Sequence, residues 1–474
     1  MNRTSCTFLS HKFFPPNPPD AHLPSMSAVD LEKCDTLLDD SRTKLGGCTT
    51  ASYISQDRTE LSRASTVTPS LDDVYPDGGL NAWITVFGAF LALLCTFGQL
   101  TSFGTFQSWY AEHQLQHLSP STISWIGSLQ LWVFFFSGGF VGRLFDAYGP
   151  HVLMILGTVI LVVSTMITSI CTEYYQYILC QGVLFGLGVG LLFYPSLAAI
   201  STHFRKYRAT ALGIAMAGSG VGGVIYPIMF RRLFVTCGFA WGVRISGFIG
   251  LALCIAATFM ISSRLANSRP KASEPWLDLK HLKDITFMLL VIGSVFVSLG
   301  LFVPNFYIVS YATEHNLSPS LAFTVLAVLN GGGILGRLAP PCLSDALGRF
   351  NLLIPSAFLA GLCTLVFWSF AKTTAEIMLY AILYGFFSGA FNALIIPCIA
   401  QISDIREIGV RIGILYSIIS FPSLCGGPAA GELLKLQHGS YEGMIAFSGA
   451  AVAFGSLFML WSRLRISSKF LVAL

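Results

Sequence analysis

The chain has 474 residues, is 54% hydrophobic and only 11% charged, and carries a formal net charge of +4, with a mean hydropathy of +0.67. This excludes an ordinary soluble domain and indicates an integral membrane protein, whose first partner is the lipid bilayer. The small net charge and the lack of a Lys/Arg run interleaved with aromatics exclude nucleic acid as a partner.

Residues 1–75 are polar, rich in Ser, Thr and Asp, with a proline cluster at Phe14-Pro15-Pro16-Asn17-Pro18-Pro19. No helical periodicity runs through them, and they are expected to form a disordered cytosolic tail. The tail lacks the apolar core of a signal peptide, so the first membrane helix is expected to act as the targeting signal.

Twelve apolar stretches follow, each long enough to cross about 30 Å of hydrocarbon at about 1.5 Å per residue. They are predicted as helices over 82–109, 120–142, 151–171, 174–202, 209–234, 240–263, 285–311, 321–344, 351–371, 375–402, 409–433 and 441–463. A polar linker at 265–284 divides them into an N-terminal half, 76–264, and a C-terminal half, 285–474, each of six helices. The fold class is thus all-α, with twelve transmembrane helices in two six-helix halves.

Lys and Arg fall mostly on one side of these helices. Arg143, Arg205, Lys206, Arg208, Arg349, Arg411, Arg463, the basic residues of the linker and others lie on one side; Arg231, Arg232, Arg244, Lys372 and Lys435 lie on the other. Positive residues are retained in the cytosol, which places both termini there, in the plasma membrane or a vacuolar one. The sequon at Asn316-Leu317-Ser318 then falls outside, making Asn316 a candidate glycosylation site.

The halves carry traces of a duplication. Tyr110-Ala111-Glu112-His113 and Leu118-Ser119-Pro120-Ser121 resemble Tyr311-Ala312-Thr313-Glu314-His315 and Leu317-Ser318-Pro319-Ser320, and both precede an Asp-x-x-Gly turn by one helix. Ser119 and Ser318, Asp146 and Asp345, and Gly149 and Gly348 are each 199 residues apart. A repeat this long, several helices per copy, marks a duplicated transporter rather than a solenoid.

Two six-helix sets, a charged central loop and Asp-x-x-Gly turns after helices 2 and 8 resemble the major facilitator superfamily. Gly142-Arg143-Leu144-Phe145-Asp146-Ala147-Tyr148-Gly149-Pro150 is similar to its G-x-L-x-D-R-x-G-R-R motif, with Gly142, Asp146 and Gly149 kept and Ala147 and Pro150 replacing basic residues. The resemblance implies a gate in which Asp146, and in the second copy Asp345, Gly348 and Arg349, hold a neighbouring helix terminus in one conformation and release it in another.

The entry to helix 1, Pro76-Asp77-Gly78-Gly79, Trp83 and Gly88-Ala89-Phe90, resembles the D-G-G-x-x-W signature of monocarboxylate porters, and Arg337 stands where their carboxylate-binding arginine does. The animal lactate carriers of that family have a lysine where this chain has Thr101 and an aspartate where it has Gly333. Both serve proton coupling there, so the pattern is closer to the fungal branch, which includes vitamin carriers and pumps encoded beside metabolite pathways.

Arg337 is the leading substrate-binding candidate. A charge inside an apolar helix faces a polar cavity or a partner, and here it follows the glycine-rich Asn330-Gly331-Gly332-Gly333. The alternative is a structural ion pair with a loop carboxylate near the inner end of helix 8. Gln99, Gln130, Trp132, Tyr194, Asn305, Asn330, Asn392 and Tyr416 lie at cavity depth and suit a planar or ring-bearing solute, or else bond between helices. Arg231, Arg232 and Arg244 read as headgroup anchors.

The strings Gly186-x-Gly188-x-Gly190 and Gly218-x-Gly220-x-Gly222-Gly223 superficially match phosphate loops, but no strand precedes and no lysine follows, so they read as close helix packing. Pro195, Pro227, Pro397, Pro422 and Pro428 mark kinks. His113 and His117 share one helix face without a third ligand, so no metal is expected. Nor is a cofactor, and no catalytic set indicates an enzyme.

The expectation is a secondary transporter of a small organic solute, an organic anion or ring-bearing metabolite, moved by solute or proton gradients without ATP. Export of a fungal secondary metabolite is favoured because both proton-handling residues of the uptake carriers are replaced. Uptake of a monocarboxylate or vitamin is the alternative, and a non-transporting receptor on the same fold is the alternative of another class.

Overall fold

The computed structural model describes residues 78–204, 206–263, 279–403 and 408–466. The predicted tail over 1–75, most of the linker at 265–284, and Pro76 and Asp77 of the helix 1 signature lie outside the described residues. Among the described residues, twelve helices are long and apolar enough to span a membrane. They are α1 (Leu80–Glu112), α2 (Ser121–Phe145), α3 (Ala147–Thr168), α4 (Tyr174–His203), α5 (Arg208–Thr236), α6 (Gly238–Met260), α7 (Ile285–Glu314), α8 (Leu321–Leu347), α9 (Arg349–Trp368), α10 (Thr374–Gln401), α11 (Gly409–Leu436) and α12 (Glu442–Ile466). The boundaries fall within a few residues of those predicted, because apolar length is the strongest signal a bilayer imposes.

The duplicated sequence folds into duplicated local structure. Ser119 accepts from the Thr122 amide at 3.2 Å ahead of α2, and Ser318 accepts from the Leu321 amide at 3.4 Å ahead of α8. Each serine oxygen satisfies an amide that the first helical turn leaves open. At the other end of these helices Gly149 has φ 72° and Gly348 has φ 93°. A side chain is strained in that backbone region, which is why both turns use glycine. Asn316, the glycosylation candidate, has φ 62° and is exposed in the turn between α7 and α8.

The glycine strings bring backbones together. A Cβ at Gly222 would land on the Leu94 carbonyl, and at Gly218 on the Phe90 carbonyl, so α1 lies directly against α5. Gly186 and Gly188 do the same for α4 against α2 and α3, with Cβ positions 2.6 Å from the Gln130 carbonyl and 2.9 Å from the Leu161 amide. Without a hydrophobic drive between helices in lipid, such close approach is what holds them. Pro195, Pro227, Pro397, Pro422 and Pro428 all sit inside helices.

Two helices break midway, at Ser102 in α1 and Phe302 in α7. In α7 the cause is Pro304, which has no amide to return to Gly300. The freed Gly300 carbonyl instead accepts from Ser448 of α12 at 2.9 Å, and the Leu301 carbonyl accepts from Tyr384 of α10 at 2.5 Å. In α1, Ser102 and Thr101 both donate to the Gly98 carbonyl, at 2.7 and 3.1 Å, competing with the helical ladder there.

The first six and last six helices meet at both ends of the bundle. At the end carrying the Gly149 and Gly348 turns, a Cβ on Gly142 of α2 would lie 3.6 Å from the Gly409 carbonyl of α11, and Thr210 of α5 bonds Asp345 of α8. At the far end Phe103 of α1 packs on Phe306 of α7 with ring centroids 5.7 Å apart, and Arg231 of α5 lies over Phe323 of α8 at 5.9 Å.

Candidate functional site

Between these two ends lies a small cavity. Its wall comes from four helices: Phe97 and Thr101 of α1; Leu301, Phe302 and Asn305 of α7; Leu329, Asn330, Gly333 and Arg337 of α8; and Gly385, Ser388 and Asn392 of α10. Both helix breaks border it, since Thr101 precedes one and Phe302 forms the other.

Among the described residues, Arg337 is the only charged group on this wall. It is 5% exposed, and its Nε and Nη1 are buried without a hydrogen-bond partner. Two glycines, one from each set of helices, leave room for the guanidinium. A Cβ would lie 2.9 Å from Nη1 at Gly220 of α5 and 2.7 Å from it at Gly333 of α8. No ion pair to Arg337 is found among the described residues, so the loop-carboxylate alternative has no structural counterpart there. Asn330, two turns earlier, donates through Nδ2 to the Leu326 carbonyl at 3.1 Å.

Of the nine candidates read from the sequence, Arg337, Asn330, Asn305 and Asn392 line the cavity together, while the other five lie off its wall. Gln99 lies two residues from both Phe97 and Thr101, about 200° round the helix. Its Nε2 accordingly points toward Gly250 of α6, 3.7 Å from where a Cβ there would stand. Gln130 and Trp132 belong to α2, which contributes nothing to the wall. Trp132 stacks on Phe136 at 5.1 Å and meets Phe421 of α11 at 6.2 Å. The Tyr194 hydroxyl donates to the Phe134 and Phe135 carbonyls at 3.3 and 3.4 Å, and Tyr416 stacks on Phe135 at 5.5 Å. Tyr194 and Tyr416 lie edge to face at 5.6 Å, and Phe135 reaches Phe302 on the wall at 5.9 Å. These rings therefore form a seam behind the cavity.

The wall also holds residues the sequence reading did not assign to it. Ser388 lies one turn before Asn392, and Phe97 one turn before Thr101, so projecting a helical face from each polar residue would have found both. Thr101 and Gly333, the positions where the lactate carriers have their proton-handling pair, both line the cavity.

The second Asp-x-x-Gly turn bridges the two sets of helices. Asp345 Oδ2 accepts from the Thr210 amide at 3.1 Å and its hydroxyl at 2.8 Å. Thr210 is the third residue of α5, whose own start has no side-chain cap, so a carboxylate from α8 serves the open amino-terminal turn of α5. Arg349 faces Asp345 at 3.6 Å and donates to the Pro397 carbonyl at 3.2 Å. In the first turn, the side chain of Asp146 lies outside the described residues.

The family model described as Major Facilitator Superfamily matches residues 89–375. The chain is 38% identical to MFS-type transporter 1 of an Ophiocordyceps species over 86% of this chain and 91% of that one. It is 38% identical to the aspyridones efflux protein of Emericella nidulans, over 81% and 78% respectively. To the agnestins efflux protein of Paecilomyces divaricatus it is 37% identical, over 83% and 89%.

Proposed function

Because the chain belongs to the Major Facilitator Superfamily, we propose that it exports an anionic, ring-bearing secondary metabolite by alternating access, the two six-helix halves rocking about the cavity. The observation that carries this is the Arg337 guanidinium, buried on the cavity wall with two nitrogens unbonded. A planar fork of this kind grips a carboxylate or enolate through two parallel hydrogen bonds. Phe97 and Phe302 give the same wall aromatic faces for a ring, and Asn305, Asn392 and Ser388 give it adaptable polar contacts. Export is favoured by the relatives named as efflux proteins for aspyridones and agnestins.

The Arg337 position and the helix 1 entry support a monocarboxylate-porter-like branch, with Thr101 and Gly333 removing its lysine and aspartate. The positive-inside count supports cytosolic termini and a plasma-membrane carrier, with Asn316 outside. The Asp345–Thr210 contact is read as a latch on the end bearing the turns, which opens when the halves rock.

Deleting the gene tests the function. Mass spectrometry of cells and medium should find an anionic, ring-bearing metabolite retained in the deletion strain and released again on complementation. A strain that instead fails to take up an external monocarboxylate or vitamin, with no retained metabolite, would replace export by uptake.

A further inference from the structure

Among the described residues Arg337 has no counter-charge, and this bears on how the carrier resets. Every other wall residue is neutral. The acidic side chains of the described spans stand near helix ends, such as Glu112, Glu314, Glu376 and Glu442. On α8 itself the next carboxylate is Asp345, about 12 Å farther along the axis and already engaged by Thr210 and Arg349.

Closing both ends of the cavity removes the guanidinium from water. That is unfavourable unless something replaces the water, because a buried charge without a partner is the costly state. A proton cannot help, since arginine stays protonated at any working pH. A carrier whose site holds a carboxylate can discharge itself by protonation between turnovers, but one whose site holds only Arg337 cannot. The partner must be an anion each time the cavity closes, on the return movement as on the outward one.

We propose that Arg337 makes this carrier an obligatory anion exchanger, in which each anion carried out is matched by one carried back. The proposal rests on the reading of the cavity as an anion site. The returning ion needs only two acceptor oxygens to match the fork, so a small carboxylate suffices.

Two substitutions remove the bare charge. Gly333→Asp places a carboxylate one turn before Arg337, where a Cβ would already lie 2.7 Å from Nη1 and 3.4 Å from the Gly385 carbonyl, so the flexible arginine head is the group that must shift. Arg337→Gln removes the charge outright.

The measurement is two distances between α5 and α8 by pulsed dipolar spectroscopy, using genetically encoded spin labels on the full chain in phosphatidylcholine nanodiscs. One pair, at Tyr207 and Leu347, spans the end bearing the turns; the other, at Val235 and Leu321, spans the far end. All four positions are exposed. In a zwitterionic buffer without added anion, the wild type should be closed at one end at a time, so that its two closed fractions sum to about one. Both variants should show a sum well above one without anion, and sodium benzoate should raise the wild type alone. Variants that stay near one, like the wild type, overturn the exchanger, with Gly333→Asp deciding should the two differ. Variants that rise while the wild type ignores benzoate leave the charge requirement standing and remove the aryl-carboxylate reading of the site.

Discussion

Replacing Arg337 separates a binding role from a structural one, because the two predict opposite effects on the folded protein. A charge-assisted bond contributes about 1.5–3 kcal/mol, which is roughly a tenfold to hundredfold change in affinity. Nε and Nη1 have no protein partner, so none of that contribution is already engaged within the chain. Arg337→Lys keeps the charge but loses the planar fork, and should weaken apparent affinity for an anionic substrate about tenfold. Arg337→Ala should weaken it a hundredfold or more. A bare charge at bilayer depth costs about 2.5–3.5 kcal/mol on insertion scales, so Arg337→Ala should express at least as well as the wild type and melt at a higher temperature. The assay is transport of the metabolite retained by the deletion strain into inside-out membrane vesicles, with carrier amount set by immunoblot and melting followed in detergent. A structural ion pair predicts poor expression, a lower melting temperature and loss of all transport. Normal expression of Arg337→Ala with unchanged apparent affinity would refute the binding role.

Tyr194→Phe should leave apparent affinity within about twofold, because the hydroxyl bonds carbonyls of α2 behind the cavity; a tenfold loss in the same vesicle assay would move the wall outward to Tyr194. Asn392→Leu, on the wall itself, should weaken binding several-fold while expression holds, by loss of a polar contact of about 1 kcal/mol. Asp345→Asn removes the charge facing the first turn of α5, worth about 1 kcal/mol at a helix start, and should make the turn-bearing end more accessible to a thiol reagent at a cysteine placed at Tyr207. Unchanged labelling would mean that the contact is not a latch. Gly222→Val puts side-chain atoms onto the Leu94 carbonyl and should abolish surface expression; normal expression would mean that α1 and α5 can part without loss.

The helices were legible because lipid leaves the chain little choice: apolar length sets each span, and the Ser-Pro starts and glycine turns recur at the same offset. Arg337 was legible for the same reason, as a charge in an apolar helix announces a polar surrounding. The wall was harder. Gln99 and Tyr194 have the depth and the chemistry, but depth is only one of two coordinates, and the rotation of each helix about its axis follows from packing between helices far apart in sequence. Gln99 is turned away by the glycine contact that seats α1 on α5, and Tyr194 is held back by the Phe134 and Phe135 carbonyls. Phe302 reaches the wall through a break whose cause, Pro304, is local, but whose relief comes from Ser448 and Tyr384 on other helices. Nothing in the immediate sequence of α7 records those two partners.

Flux through the purified full chain in proteoliposomes, with the metabolite retained by the deletion strain inside and a small carboxylate outside, bears most directly on the central claim. Release should proceed without ATP, depend on the outer carboxylate, and be lost in Arg337→Ala reconstituted at equal amount. Release that requires ATP hydrolysis, or that proceeds equally well through Arg337→Ala, would contradict the account of a secondary carrier built round that arginine.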